Sequence, residues 1–106
     1  MKVKVNRRLS AGTYHVNFEV ADFTTEEITK MSSFGVPKIQ LQWTKGGSKY
    51  GGSISLNQIS REYDSVFDTE DEARQYEKGI LIQIRAAMER LRESQDKYTS
   101  SDEVAL

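Results

Sequence analysis

The chain has 106 residues, the size of one domain, and no cysteine, which excludes disulfides, thiolate metal sites and cysteine nucleophiles. Its 15 basic and 16 acidic side chains leave a formal net charge of −1, so no bulk field draws it to nucleic acid or an anionic membrane. The run Met1-Lys2-Val3-Lys4-Val5 alternates charge with valine and is no signal peptide; no stretch approaches the ~18 apolar residues of a membrane span, so the expected location is cytoplasmic.

Lys2 to Leu9 alternates, with Val3, Val5 and Leu9 on one side and Lys2, Lys4, Asn6 and Arg8 on the other, the period of a half-buried strand. Arg7 breaks the pattern. Either the strand bulges or ends there, or the arginine lies at the sheet margin with its head in water. Ser10-Ala11-Gly12 supplies a turn, and Tyr14, Val16, Phe18 and Val20 then face inward along a return strand, completing a β-hairpin.

At Phe23 the period changes to helical. Thr24 is the expected N-cap with Glu27 completing a capping box, and Phe23 is placed to staple against Ile28. Ile28, Met31 and Phe34 follow at helical spacing before Gly35 and Pro37 stop a helix of about ten residues, too short to stand undocked.

Lys38 to Thr44 alternates again, with Ile39, Leu41 and Trp43 inward. Lys45 to Gly52 reads as a glycine-rich loop, Ser53 to Asn57 as a resumed strand through Ile54 and Leu56, and Arg61 to Phe67 as a last strand with Tyr63, Ser65 and Phe67 on one side.

The run from Asp68 to Tyr98 reads as one long amphipathic helix. Ala73, Tyr76, Ile80, Leu81, Ile84, Ala87, Met88, Leu91 and Tyr98 form one stripe, opposite Gln75, Lys78, Arg85, Glu89 and Glu93. Thr69 and Glu72 predict a reciprocal capping box, and Glu70 and Asp71 complement the helix dipole. The tail from 99 to 106 is polar and acidic, with the composition of a disordered segment following a single domain over 1–98. The order ββαββ(β)α predicts an α+β fold: an antiparallel sheet of four to five strands, covered on one face by a short and a long helix.

Four sets of residues are candidates for chemistry. Lys45 to Gly52 has the glycines of a phosphate cradle but neither the G-x-x-x-x-G-K-[ST] spacing nor a following helix, so a hairpin tip is favoured. Lys2, Lys4, Arg8, His15, Lys38, Gln40 and Gln42 lie on outward positions, yet the strand aromatics Tyr14, Phe18 and Trp43 point inward, leaving nothing to stack a base. Asp68, Glu70, Asp71 and Glu72 lack a calcium-loop register and are explained by helix capping, so no metal or cofactor is expected. His15 is the lone histidine, and Glu19 on its face is ~13 Å away at strand rise, so no acid–base pair forms locally.

Two residues of the long helix remain unexplained by folding alone. Gly79 costs about 1 kcal/mol in mid-helix, which close approach of another backbone would justify, and Ile82 lies alone among polar neighbours opposite the stripe. The expectation is a small non-enzymatic interaction module, self-associating as a homodimer or binding a protein partner through Gly79 and Ile82. The competing expectation is weak nucleic-acid or phosphate binding through Lys2, Lys4, Arg8, Lys38, Lys45 and Lys49.

Overall fold

The computed structural model of the protein describes residues 1–59, 64–94 and 103–105. Strands β1 (Lys2–Ser10) and β2 (Thr13–Ala21) form a hairpin, followed by helix α1 (Thr25–Phe34). Strands β3 (Lys38–Lys45) and β4 (Ser48–Ser55) form a second hairpin; a 3-10 turn (Leu56–Gln58), strand β5 (Asp64–Phe67) and helix α2 (Glu70–Glu93) complete the fold. Among the described residues all pairings are antiparallel, and the architecture is α+β with helix packed on sheet.

The strands divide into two sheets rather than one, in the order β1-β2-β5 and β3-β4. Alternation within a strand fixes which side is buried but not which hairpin pairs with which. α2 spans both sheets, and Tyr76 is the side chain that ties them together. Its ring lies 5.9 Å from Phe18 on β2, 5.1 Å from Phe67 on β5 and 5.5 Å from Trp43 on β3. Around it, Val16, Val20, Ile39, Leu41, Ile54, Leu56, Ile80, Ile84, Met88 and Leu91 build one core.

The first hairpin keeps an unbroken register, with Arg7 opposite Val16, so there is no bulge. β1 is an edge strand, and Arg7 reaches from its inward side past the margin to bond Glu77 on α2. Ala11 and Gly12, at φ 50° and 77°, supply the two left-handed residues that a tight turn between twisted strands demands.

The glycine-rich stretch is not a loop. Gly46 and Gly47, at φ 57° and 80°, form a two-residue turn, and β4 begins at Ser48, five residues earlier than alternation implied. Gly51 and Gly52 carry no side chain to display a period, which hides a strand from a hydrophobicity pattern. Gly51 is there for space, since a Cβ would lie 3.2 Å from the Leu41 carbonyl oxygen.

Both helix starts follow from their sequences, with one departure. At α1 the capping box is complete: Glu27 N–H donates to Thr24 Oγ1 (3.1 Å) and Thr24 N–H to Glu27 Oε1 (2.8 Å). At α2, Thr69 Oγ1 accepts from Glu72 N–H (3.3 Å), but no reciprocal backbone bond closes the box. The Glu72 carboxylate instead accepts from Thr69 Oγ1 and, at 3.1 Å, from the Gly46 N–H of the hairpin turn. A capping residue thereby bolts the β3-β4 tip to the helix.

α1 docks more lightly than its spacing predicts. Its buried residue is Glu27, while Ile28 and Phe34 are exposed, so the staple to Phe23 does not bury Ile28. Gly35 ends it at φ 88°, with its N–H on the Met31 carbonyl. α2 stops at Glu93, short of the expected Tyr98, because Ser94 turns to an extended conformation (ψ 127°) and caps it with its N–H on the Leu91 carbonyl. Tyr63, Tyr98 and most of the expected tail lie outside the described residues, and 103–105 are exposed coil.

Candidate functional site

One flank of α2 carries a trough made of two adjoining clefts. The first, about 430 Å³, lies where the tip of the β1-β2 hairpin meets the first turns of α2, with Arg7, Arg8, Leu9, Tyr14 and His15 on one bank and Glu70, Ala73, Arg74 and Glu77 on the other. The second, also about 430 Å³, continues along the helix between Arg74, Glu77, Lys78, Leu81, Ile82 and Arg85. Arg74 and Glu77 belong to both, so the two form one surface.

Helix geometry explains the arrangement. Residues 74, 78, 81, 82 and 85 recur at three- and four-residue spacing and share a face that runs from Leu81, roughly 90° from the centre of the core stripe, round to Ile82 on its far side. Leu81 is half-buried at the edge of the core, and Ile82 stands 56 % exposed beside it. At the other end Leu9 is 64 % exposed, on the edge strand opposite Tyr14 and one residue pair before the turn.

The rim is cationic. Arg7, Arg8, Arg74, Lys78 and Arg85 face only Glu70 and Glu77 among the described lining residues. Arg7 is held by Glu77, whose hydrogen bond and charge raise the guanidinium's pKa further, and Arg74 bonds Glu70 one turn back. These pairs set the direction of the guanidinium groups without neutralising the surface.

His15, which lines the first cleft, lies between two partners. An Arg8 guanidinium nitrogen is 3.3 Å from Nδ1, and Thr13 Oγ1 is 3.0 Å from Nε2. Arginine can only donate, so Nδ1 accepts; Nε2–H then donates to Thr13, whose hydroxyl donates to the Ser10 carbonyl at 2.8 Å. Both ring nitrogens are thus engaged in holding the hairpin end.

The remaining candidates are dispersed. Arg8 alone of them lines the trough, while Lys2 and Lys4 lie farther along the outer face of the three-stranded sheet, where Lys2 is 3.8 Å from Asp22 and Lys4 is paired across from Glu19. Lys38, Lys45 and Lys49 belong to the other sheet. The acidic run is used separately, Glu70 on Arg74 and Glu72 on the hairpin turn. Gly79 sits beside the trough, and a Cβ there would meet nothing within 4 Å, so no described atom of this chain makes the close approach that would justify a glycine.

Two features escaped the sequence reading. Arg7 and Arg74 come together only through the fold, and no spacing signals them. Tyr50, hidden in the supposed loop, stands on β4 opposite Trp43, its ring stacked on the indole at 5.9 Å and 15°. Among the described helices none is long and apolar enough to cross a membrane. Comparison with protein-family models, curated proteins and solved structures finds no match.

Proposed function

We propose that the chain is a small non-enzymatic interaction module, and that its trough along α2 docks an acidic, amphipathic segment of a partner protein. The observation that carries this reading is the coincidence of exposed Leu9 and Ile82 with a rim on which Arg7, Arg8, Arg74, Lys78 and Arg85 outnumber the carboxylates. Exposed apolar residues within a charged rim have the anatomy of a binding surface, and complementary charge selects the partner and speeds its arrival.

The same charge count weighs against a two-fold homodimer through this face. An isologous contact sets a patch against its own copy, and here that brings cation toward cation. The partner favoured by this geometry is therefore a different, acidic chain. His15, with both ring nitrogens engaged, supports a structural role for the histidine.

The test is fluorescence anisotropy with two labelled amphipathic peptides, identical in their leucines at i and i+4 but carrying either glutamate or lysine between them. The acidic peptide is expected to bind, more weakly as salt rises, and to be lost on Ile82→Glu; the basic peptide is not. Equal behaviour of the two peptides, or an Ile82→Glu variant that binds like wild type, contradicts the proposal.

A further inference from the structure

On the other flank of α2, where Glu72 rather than Glu77 reaches across, a cleft of about 620 Å³ opens beside the β3-β4 hairpin. Its apolar wall is a ladder of rings. Tyr76 meets Trp43 edge-on at 5.5 Å, Trp43 stacks on Tyr50, and Tyr50 is 49 % exposed. The outermost plate of the ladder is therefore an aromatic surface in contact with solvent. Glycine keeps it open: Gly52, next along the same face, offers no side chain to cover the ring, and Gly51 lines the mouth. Gln75 on α2 borders this face, while Gln42, Thr44 and Lys49 line the cleft from the alternate face of the hairpin, Lys49 on the outer strand beside Tyr50 with a stem long enough to bring its ammonium to the rim.

This set matches one ligand chemistry well. An exposed ring stacks a planar heterocycle, side-chain amides offer a donor and an acceptor together to its edge, and a lysine at the rim meets a phosphate. We infer that the Trp43–Tyr50 cleft binds a nucleotide, with the base on the Tyr50 ring and the phosphate at Lys49. The expectation that nothing is left to stack a base rests on Tyr14, Phe18 and Trp43 facing inward and does not weigh Tyr50, which shares the Trp43 face but stands at its open end. The site is independent of the α2 trough.

Trp43 is the only tryptophan, so its emission reports on the cleft directly. The experiment titrates the protein at low salt with oligouridylate, oligothymidylate, uridine monophosphate and a cello-oligosaccharide, following Trp43 quenching. Quenching by the nucleotide ligands is expected, and Tyr50→Leu is expected to weaken it by about five- to a hundredfold while Tyr50→Phe, which keeps the ring, binds like wild type. Lys49→Gln should reduce the salt slope of oligonucleotide binding by about 0.7. Affinity that grows with length identifies a single strand as the ligand, and equal affinity for the monophosphate identifies a free nucleotide. Ile82→Glu leaves this titration unchanged, which separates its outcome from that of peptide docking. Unquenched emission with every nucleotide ligand, quenching by the oligosaccharide alone, or quenching indifferent to Tyr50→Leu overturns the inference.

Discussion

The Glu27 carboxylate does two things at once: it caps the first turn of α1 by accepting from the Thr24 backbone at 2.8 Å, and it lies 2.9 Å from the Met1 ammonium. Burial works to raise its pKa, but hydrogen bonds from the Thr24 backbone, the ammonium and the Thr24 hydroxyl, with the ammonium's charge, outweigh it and hold the carboxyl below its ordinary value. A carboxylate whose folded pKa is depressed stabilises the fold above its ordinary pKa, and that stability is lost as pH falls through the folded value. Glu27→Gln is therefore expected to cost about 1 kcal/mol or more near neutral pH, judged from capping and charge-assisted hydrogen bonds. Urea denaturation of both proteins across the acid range checks this, and the gap should close well below pH 4.5, the ordinary value. The capping box was legible from Thr24 and Glu27 alone, since its partners are three residues apart; the ammonium contact, 26 residues away, was not. Gly79 makes the opposite case. With open space where its Cβ would be, Gly79→Ala should stabilise the fold by up to about 1 kcal/mol, read as a higher denaturant midpoint. A loss of stability would mean that a backbone approaches Gly79 after all.

Among the elements, α2 was the most legible, because 3.6-residue periodicity over 24 residues leaves little freedom in which face is buried. Ile84 is 2 % exposed and Ile82 56 %, only two residues apart in one helix. Ile84→Ala should destabilise by ~2–5 kcal/mol through lost transfer energy and a cavity, and Ile82→Ala by under ~1 kcal/mol. Chemical denaturation of the two variants decides, and equal losses would mean that both helix faces are buried. The β3-β4 hairpin was the least legible. Its glycines suggested a loop, although Gly46-Gly47 between alternating residues is itself a two-residue turn signal. What holds the tip could not be read locally, since the Glu72 carboxylate is 26 residues from Gly46. Glu72→Ala should cost about 0.5–2 kcal/mol and raise amide exchange at Gly46 to Lys49 ahead of the rest of β3 and β4. Unchanged exchange at the tip would show that the turn holds itself.

At the scale of the whole molecule, what alternation leaves open is the association of hairpins, and both proposed binding surfaces are built there. The division into two sheets, joined through Tyr76, places one hairpin on each flank of α2. The β1-β2 tip brings Arg7, Arg8 and Leu9 to one flank; the β3-β4 tip brings Tyr50 and Lys49 to the other. Net charge near zero concealed the cationic rim, because the balancing carboxylates lie elsewhere on the chain. If this rim selects an acidic partner, reversing its charge must reverse that preference. Lys78 and Arg85 flank Ile82 on the exposed side of α2, away from the core, so Lys78→Glu with Arg85→Glu should leave folding intact. Measured by anisotropy at low salt, the double variant is predicted to lose the acidic peptide by at least about tenfold and to gain the basic one, as complementary charge requires. Undiminished affinity for the acidic peptide in the folded double variant would contradict the account.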